Sequence, residues 1–453
     1  MDDHSPGVQQ CIEQGRQMME CEQQQRALMR RKRFDTIAVH GLYDMQAALA
    51  NQGSIIEPAF LSTAQHFANS DQMETALAYL MPGWIYARVA NPTLHYLEET
   101  LGLLEGYGFD GEVSAHLTGS GMAATFLATN PFLMLDPAHP KPNIVASARC
   151  YGGTFTLFTR YANERGIDVR WVRESLDTAE WATKIDGETR FVFGEMPSNP
   201  SLAIIDLEAV AALAHAVGAP FIVDSTIATP ALMRPFLHGA DIVVHSVSKS
   251  MASSGFVIAG AVIGRIDIPS KVGPDELRQN YAMYVKGYPH RDMGPALSPL
   301  NALLALNDLR TLRSRTDITS RTAMQVAEYL ARHPAVEAVH YPGLPGFEGH
   351  ETAARYLRLV DAADGDAARF GYLLSFDVRG GTARARDVFD RMQMIWRATD
   401  LGRVKSVATI PMISTHQQIT DKDVAGLRPN MIRLSVGMEH PDDIIADLEQ
   451  ALA

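Results

Sequence analysis

The stretch IVVHSVSKS, residues 242–250, is an apolar, β-branched run that ends in a lysine and a serine. Such a run predicts a strand that is buried on both faces, as in a parallel sheet. A lysine at the end of a buried strand has two interpretations. Lys249 either leaves the sheet and points into water, as most lysines at strand ends do, or it is held in a crevice where its amine is used. The neighbouring segments help to decide between the two.

Strand and helix patterns alternate around this stretch. The strand candidates from about residue 112 are EVSAHLTG, NIVASA, VRWVRE, RFVFGEM, PFIVD and DIVVHSV. Helical segments separate most of them, which predicts crossover connections and an α/β domain with a mostly parallel, doubly wound sheet. After about residue 295, the amphipathic segments LNALLALNDLRTLRSR and RTAMQVAEYLARHP precede the strand candidates GYLLSFDV and MIRLSVG. This change predicts a smaller α+β domain. The polar residues 1–33 predict a solvated helix.

Composition and charge argue against several classes of protein. The chain has 453 residues, a formal net charge of -12 and three cysteines. An acidic chain is poorly suited to nucleic acid, whose binding relies on basic surface. The cysteines show no CxxC spacing and the histidines no HExxH spacing, so the sequence predicts neither a disulfide framework nor a metal site. No window approaches the roughly 18 consecutive apolar residues of a membrane span. We therefore expect a cytoplasmic protein with no nucleic-acid or membrane partner.

Chemically active side chains follow the predicted strands, at the edge where ligands bind in an open parallel sheet. The turn GSGMAA, residues 119–124, leads into a helix whose free N–H groups can hold a phosphate. Asp224 ends PFIVD, and Lys249 follows DIVVHSV, with Ser246 and Ser248 beside it. A lysine, a carboxylate and a phosphate cradle at one edge match the needs of pyridoxal phosphate: an imine partner, a partner for the pyridine nitrogen and a phosphate site. A surface ion pair between Asp224 and Lys249 is the alternative.

Two rival functions come from other classes of protein. GSGMAA also fits the GxGxxA fingerprint of dinucleotide-binding proteins, which expects an acidic residue about 20 positions further on. Here the next strand, NIVASA, is followed by Arg149 and by no nearby acid, which argues against a nicotinamide-dependent dehydrogenase. The other rival is a non-catalytic protein that keeps the fold as a binding module. The presence of both Lys249 and Asp224 argues against it.

Eight motifs occur in a characteristic order over most of the chain. They are YARVANPT (86–93), GSGMAA (119–124), YGGT (151–154), EMPSNP (195–200), VDSTIATP (223–230), HSVSK (245–249), HYPGLPG (340–346) and RLSVG (433–437). With them the sequence resembles the cysteine/methionine-metabolism family of pyridoxal-phosphate enzymes, which contains cystathionine γ-synthase, cystathionine γ-lyase, methionine γ-lyase and the O-acetylhomoserine sulfhydrylases. The resemblance implies fold type I. It also implies an N-terminal arm (1–88) that reaches the neighbouring subunit, a cofactor-binding large domain (89–293) and a C-terminal α+β domain (294–453).

The resemblance further implies a role for each residue around the cofactor. Lys249 would form the imine, Asp224 would contact the pyridine nitrogen, and Tyr151 would stack on the ring. The other cofactor contacts that it implies are the N–H groups of Gly121 and Met122, the hydroxyls of Ser246 and Ser248, the Asn199 side chain, and Tyr86 and Arg88 of the neighbouring subunit. The active unit would then be a homo-oligomer, a dimer with shared sites that usually pairs into a tetramer. Tyr86 and Tyr151 have the alternative of filling a core or an interface.

On the substrate side, the resemblance implies that Arg433 clamps the α-carboxylate of an amino acid. Asn199, Lys405 and Ser406 are the further substrate-side candidates. The implied reaction is a cystathionine γ-synthase-like γ-replacement on a homoserine-derived or methionine-like amino acid, through a vinylglycine-type quinonoid intermediate. Lys249 would move protons, and Tyr151 or Tyr86 would assist the leaving group. Elimination to a 2-oxoacid and ammonia, as in a γ-lyase, is the alternative, and a non-catalytic relative is the remote one. Arg433 has the alternative of lying on the surface.

Three stretches depart from the family pattern. SMASSGFVIAG (250–260) replaces the usual aromatic residue and GHSD-like turn after the lysine. DLGRVKS (400–406) replaces an SLGGVES-type stretch, so that Lys405 stands where cystathionine enzymes commonly carry a glutamate. TIPMISTH (409–416) replaces an HPA-type run. A positive charge at position 405 disfavours a substrate with a cationic distal group, unless Lys405 points to solvent. We therefore expect a specialised substrate.

Overall fold

The computed structural model describes residues 4–134, 136–137, 140–363, 368–417 and 426–453. Its strands are β1 (Val113–Thr118), β2 (Asn143–Ser147), β3 (Asp168–Val172), β4 (Thr189–Glu195), β5 (Phe221–Asp224), β6 (Ile242–His245), β7 (Gly260–Arg265), β8 (Val336–His340), β9 (Leu373–Val378), β10 (Trp396–Arg397), β11 (Val407–Thr409) and β12 (Met431–Ser435). Its α-helices are α1 (Pro6–Met29), α2 (Phe34–His40), α3 (Met45–Ala50), α4 (Ser70–Leu77), α5 (Pro92–Glu105), α6 (Gly121–Thr129), α7 (Gly152–Arg165), α8 (Thr178–Lys184), α9 (Leu207–Ala216), α10 (Thr229–Leu232), α11 (Asp275–Gln279), α12 (Tyr281–Val285), α13 (Arg291–Met293), α14 (Pro299–Leu309), α15 (Leu312–Arg332), α16 (His350–Tyr356), α17 (Gly381–Arg391) and α18 (Pro441–Leu452).

The large sheet has the strand order β1-β7-β6-β5-β4-β2-β3 in the described part of the chain. Strands β6, β5, β4, β2 and β3 pair in parallel, whereas β7 is antiparallel to both of its neighbours, β1 and β6. Each of the six predicted strand segments contains a strand of this sheet, and the expectation of a mostly parallel sheet is confirmed. Strand β7, with the sequence GAVIGR, was not predicted. It pairs with β6, the strand that precedes Lys249.

Apolar side chains cover both faces of the large sheet. Successive residues of β5, Ile222 and Val223, are fully buried and enter two different core clusters, one on each face. Strand β6 is buried along its whole length. This burial explains why the strands read as continuous apolar runs rather than as alternating ones. The polar groups of a site are therefore expected at or beyond the ends of these strands, and Lys249 lies at such a position.

The smaller sheet has the order β10-β11-β12-β9-β8. Helices α15, α17 and α18 pack with it around a separate core cluster. The sequence predicted two long helices here, separated by residues 316–320. The structure instead ends α14 at Leu309 and continues α15 without a break from Leu312 to Arg332. Thr316, Thr319 and Ser320 are buried in this helix, so packing outweighs their weak helix propensity. The predicted domain limits at 88/89 and 293/294 stay a prediction.

The polar N-terminal segment forms α1, a helix of 24 residues. It is mostly exposed, but it packs along the chain that follows it. A Cβ atom on Gly15 would lie 2.6 Å from the Cβ of Met81, and Arg26 of α1 forms an ion pair with Glu99 of α5. Helix α1 is therefore anchored to the large domain rather than fully solvated. None of the helices in the described residues combines the length and the apolar character that crossing a membrane requires.

Candidate active site

The site lies where neighbouring strands β4, β5 and β6 end. Strand β4 ends at Glu195 and β5 at Asp224, and the two residues are register partners. Lys249 follows β6 by four residues, after a turn in which its N–H donates to the Ser246 carbonyl at 3.0 Å. Because the three strands are parallel and adjacent, their carboxyl ends bring these groups to one edge of the sheet.

The Lys249 amine is bound by a carboxylate that the sequence did not predict. Its Nζ donates to Oδ1 of Asp400 at 2.8 Å. The other oxygen of Asp400 accepts from Arg403, whose guanidinium also donates to the Ser248 carbonyl at 2.6 Å. Burial alone would raise the pKa of the Asp400 carboxyl, but Lys249 and Arg403 lower it below its usual value. Lys249 is thus held in a crevice, and the alternative of a surface ion pair with Asp224 is not what the structure contains.

Asp224 and Glu195 form a buried acidic pair. Asp224 accepts from the Thr226 N–H at 2.9 Å, and Glu195 accepts from the N–H groups of Tyr151 at 2.6 Å and Asn199 at 2.8 Å. Burial raises the pKa of both carboxyls, and for Glu195 the nearby charge of Asp224 adds to the effect. No arginine or lysine forms an ion pair with either carboxyl in the described part of the chain. The pair therefore favours a cationic group bound against it.

The phosphate end of the site is formed by the start of α6 and by the turn after β6. A Cβ atom on Gly121 would lie 2.6 Å from the Cβ of Ser246, so this close approach requires glycine. Ser120 caps the helix by accepting from the Ala123 N–H at 3.1 Å. The N–H groups of Gly121 and Met122, in the first turn, have no acceptor within the helix. They are suited to an anion, and the dipole of α6 adds to the attraction.

Tyr151 and Ser248 differ in how they fit their predicted roles. Tyr151 precedes α7 and is partly exposed, and its ring lies 6.4 Å, centroid to centroid, from that of His416. A Cβ atom on Gly153 would meet both Tyr151 and the sulfur of Met122, so these two side chains line the same space. Ser248 is buried, and its hydroxyl donates to the Ala259 carbonyl at 3.0 Å and accepts from the Ala259 N–H. Its proton is therefore committed to the backbone in this structure.

Arg433 lies on β12 and is fully buried. Its guanidinium donates to Oδ1 of Asn199 at 2.9 Å and to the backbone carbonyl of Asp400 at 2.8 Å. Its buried Nε has no partner among the described residues. Burial lowers the pKa of Arg433 to about 10, so the group remains cationic at neutral pH. The alternative of a surface position for Arg433 is wrong, and a buried cation with a spare donor is suited to a carboxylate.

The remaining predicted residues have their described side-chain contacts with residues other than Lys249. Tyr86 is exposed, with the Arg88 guanidinium 5.8 Å from its ring centroid, and Arg88 donates to the Arg291 carbonyl. Lys405 is exposed, and its Nζ lies 4.6 Å from the ring centroid of Trp396. The buried Ser406 hydroxyl donates to Glu439 at 2.9 Å and accepts from the Gly437 N–H. In the described part of the chain, none of these side chains forms an ion pair with Lys249, whose amine instead binds Asp400.

The residues present fit pyridoxal phosphate on three counts. The start of α6 provides a phosphate cradle that a side chain on Gly121 would fill. Among the described residues, no arginine or lysine forms an ion pair with Asp224 or Glu195, and burial raises the pKa of both carboxyls, which suits a protonated pyridine nitrogen. The Lys249 amine is available for an imine at the same edge. Taken together, these three features favour pyridoxal phosphate over a dinucleotide.

The family comparison agrees with this fit. Residues 35–453 match the family model described as Cys/Met metabolism PLP-dependent enzyme. The chain belongs to this family. The predictions of the family, of a PLP-dependent enzyme acting on an amino acid and of pyridoxal phosphate as cofactor are confirmed. The rival dehydrogenase and the non-catalytic relative are thereby set aside.

Individual relatives cover nearly the whole chain. The chain is similar to an O-acetyl-L-homoserine sulfhydrylase of Leptospira meyeri, at 33% identity over 92% of this chain and 96% of the relative. It is also similar to an L-methionine gamma-lyase of Pseudomonas deceptionensis, at 32% identity over 92% and 97% of the two chains. A solved structure from Campylobacter jejuni, which carries N'-pyridoxyl-lysine-5'-monophosphate, matches with a TM-score of 0.81 and 33% identity, covering 93% of this chain and 100% of that chain. The predicted fold type I architecture is confirmed.

Four residues of the site were missed by sequence reasoning. Glu195 and Thr226 lie inside motifs that were quoted for other residues, and both contact predicted groups. Asp400 and Arg403 lie in DLGRVKS, where attention fell on Lys405 because of its charge. The signal for Asp400 was present, since it replaces a neutral serine of the family stretch. Only the folded chain reveals that this new charge contacts Lys249.

Proposed function

We propose that the protein catalyses γ-replacement on a homoserine-derived or methionine-like amino acid. The observation that carries this proposal is the buried Arg433 guanidinium, whose Nε has no partner among the described residues. It donates to the backbone carbonyl of Asp400, the same residue whose carboxylate accepts from the Lys249 amine. An α-carboxylate bound by Arg433 and Asn199 would orient an amino acid with its Cα towards Lys249. The relative named O-acetyl-L-homoserine sulfhydrylase supports a homoserine-derived substrate.

Different residues of the chain would carry out different parts of this reaction. Pyridoxal phosphate, when bound, supplies an aldehyde for the imine and a cationic ring that accepts electrons from the substrate's Cα. Asp224, with Glu195 beside it, would keep the ring nitrogen protonated, and the start of α6 would hold the phosphate. Lys249 takes the proton from Cα and moves a second one from Cβ, so that the leaving group departs from Cγ. Tyr151 or Tyr86 assists that departure, and each such acid or base contributes roughly 10²–10⁴-fold.

A γ-lyase activity is the second candidate. The similarity to an L-methionine gamma-lyase supports it at nearly the same identity as the sulfhydrylase supports replacement. Both reactions use the same steps up to loss of the leaving group from Cγ. They diverge when either a nucleophile adds at Cγ or the product is hydrolysed to a 2-oxoacid and ammonia.

The proposed assembly is a homodimer with shared sites that pairs into a tetramer, in the cytoplasm. Large apolar side chains are exposed along the arm, including Ile55, Leu61, Trp84 and Tyr86. Such a concentration of exposed apolar surface favours burial against another copy of the chain. The exposed Tyr86 and Arg88 would then complete the phosphate site of the neighbouring subunit.

Mass spectrometry of the reaction products tests the proposal. The purified, cofactor-loaded protein is offered O-acetyl-, O-succinyl- and O-phosphohomoserine, methionine, cystathionine and S-adenosylmethionine, each with and without sulfide or cysteine. A new amino acid that forms only in the presence of a nucleophile is expected. Release of 2-oxobutanoate without any nucleophile would support the γ-lyase instead, and no turnover of any member of the series would contradict both.

A further inference from the structure

The inference concerns Asp400 and rests on the proposed function. Asp400 stands where the family stretch SLGGVES carries a serine, so this chain has placed a carboxylate beside the reactive amine. Its Oδ1 accepts from Lys249 Nζ at 2.8 Å, and its backbone carbonyl accepts from Arg433 at 2.8 Å. One residue therefore contacts both the amine that forms the imine and the cation proposed to bind the substrate carboxylate.

We propose that Asp400 is a positioning residue that holds the Lys249 nitrogen beside Arg433 through a charge-assisted hydrogen bond. A serine at this position would offer a neutral partner with a shorter reach. The carboxylate directs the nitrogen, and an anion at this distance would stabilise a protonated imine formed there. Asp400 acts through Lys249 and does not touch the reacting carbon atoms itself.

The loop that carries Asp400 is fixed against the backbone of Lys249. Gly402 has a φ of +74°, and a Cβ atom there would lie 2.5 Å from the N of Ser250. Arg403 donates to the Ala252 carbonyl at 2.9 Å, and the Val404 N–H donates to the Ser253 carbonyl at 3.1 Å. The stretches 250–260 and 400–406, which both depart from the family pattern, thus pack against each other. Their departures form one structural unit around Lys249.

Other charges face the Lys249–Asp400 pair and limit the size of the effect. Arg403 shares the carboxylate, and Arg433 lies on the far side of its backbone. The buried Tyr372 hydroxyl interacts with Asp400, Arg403, Arg433 and Asp224. Burial raises the pKa of Tyr372 well above its usual value, so its hydroxyl is neutral over the useful pH range. Arg403 already offsets part of the carboxylate charge. We therefore expect Asp400 to shift the pH midpoint of the cofactor-bound nitrogen by an amount at the small end of the range for oppositely charged neighbours.

A pH titration of the visible absorbance band of the lysine-bound cofactor tests the proposal. Asp400→Asn keeps the shape and removes the charge, Asp400→Ser restores the family residue, and Asp390→Asn removes an exposed carboxylate in α17 as a matched control. Removing an anion next to a cationic nitrogen lowers the pH at which the nitrogen loses its proton. The midpoint should fall by about one pH unit in both Asp400 variants and stay at the wild-type value in the control.

An unchanged midpoint in Asp400→Asn and Asp400→Ser would overturn the proposal. If one variant fails to fold, the other decides, and Asp400→Glu provides a third arm in which the midpoint should return towards that of the wild type. Borohydride reduction followed by peptide mass spectrometry confirms in each case that the cofactor is attached to Lys249. A wild-type protein that shows no band with pyridoxal phosphate would instead contradict the cofactor chemistry of the proposed function, so the two failures are distinguishable.

Discussion

The residues on the proposed cofactor side of Lys249 and those on its proposed substrate side are positioned by different kinds of structure. On the cofactor side, Asp224, Glu195 and the start of α6 lie at the ends of adjacent strands, as a parallel sheet dictates. On the substrate side, Asp400 and Arg433 come from a loop and a strand of the smaller domain. Arg433 and the residues proposed for the cofactor lie in or next to the quoted family motifs, whereas the loop that carries Asp400 and the stretch 250–260 depart from the family pattern. The comparison teaches that adjacent strand ends position the proposed cofactor residues, while the departures from the family pattern lie in loops that pack against each other.

Replacing Lys249 should have the largest effect, because Lys249 belongs to both sides. In Lys249→Ala we expect no borohydride-trapped cofactor and a fall in turnover of at least 10²–10⁴-fold, roughly the value of one positioned acid–base group. Trapping followed by mass spectrometry, together with a product assay, measures the two effects. Lys184→Ala, which removes a surface lysine of α8, is the control and should change neither. A variant that still carries covalently trapped cofactor would disprove the assignment of Lys249.

Acidification should lower the free energy of unfolding through His416, a buried histidine whose ring lies near that of Tyr151. Burial, together with the charge of Arg433, lowers the pKa of this histidine from 6.5 to about 4. The folded protein therefore holds the neutral ring, and the unfolded chain binds a proton first as the pH falls. The contribution of the neutral His416 ring to the free energy of unfolding is therefore fully present above pH 6.5. It decreases as the pH falls from 6.5 towards 4, and the total loss is about 3 kcal/mol.

The variant His416→Gln should reduce this dependence on pH. Thermal unfolding of wild type and variant between neutral pH and pH 4 gives the two slopes, and the slope of the variant should be smaller. His66→Gln, which changes an exposed histidine, serves as the control and should unfold with the wild-type slope. Equal slopes in His416→Gln and the wild type would show that the ring is not held neutral by its surroundings.

Arg433 offers a test confined to the substrate side. Arg433→Lys keeps the positive charge but cannot contact both Asn199 and the Asp400 carbonyl in the fork geometry of a guanidinium. Loss of one charge-assisted hydrogen bond costs about 1.5–3 kcal/mol, which corresponds to a rise in KM of about 10–100-fold. Steady-state kinetics should show this rise with the cofactor band retained. Arg428→Lys, which changes an exposed arginine paired with the buried Asp377, is the control, and an unchanged KM in Arg433→Lys would contradict the carboxylate role.

The sequence predicted those parts of the molecule that depend on local patterns. Continuous apolar runs identified the parallel strands, and the residues after those runs identified Asp224 and Lys249, because the ends of parallel strands meet at one edge. Strand β7 was missed because its glycines at both ends weaken the strand pattern. The break between α14 and α15 was misplaced because tertiary burial of Thr316, Thr319 and Ser320 overrides propensity.

The contact between Lys249 and Asp400 illustrates what sequence patterns cannot provide. The two residues are 151 positions apart and belong to different domains of the predicted division. No periodicity links them, and their meeting depends on how the loop at 400–406 packs on the turn after β6. Charge alone drew attention to Lys405, yet the side chain that reaches the reactive amine is the one at position 400. Pairing at such a distance is decided by the tertiary fold, which local propensity does not encode.

Lys405 should show the smallest effect and sharpens the comparison within one loop. Its amine is exposed and lies over Trp396, a contact worth about 0.5–1 kcal/mol at an exposed site. We expect Lys405→Glu to change kcat/KM less than about 3-fold for substrates with neutral or cationic distal groups, since a solvated charge is screened within about 8–10 Å. Lys405→Met, which removes the charge without reversing it, is the matched variant. If Lys405→Glu instead shifted the preference towards cystathionine, the substrate would pass closer to Trp396 than to Asp400, and the side chain at 405 would define specificity.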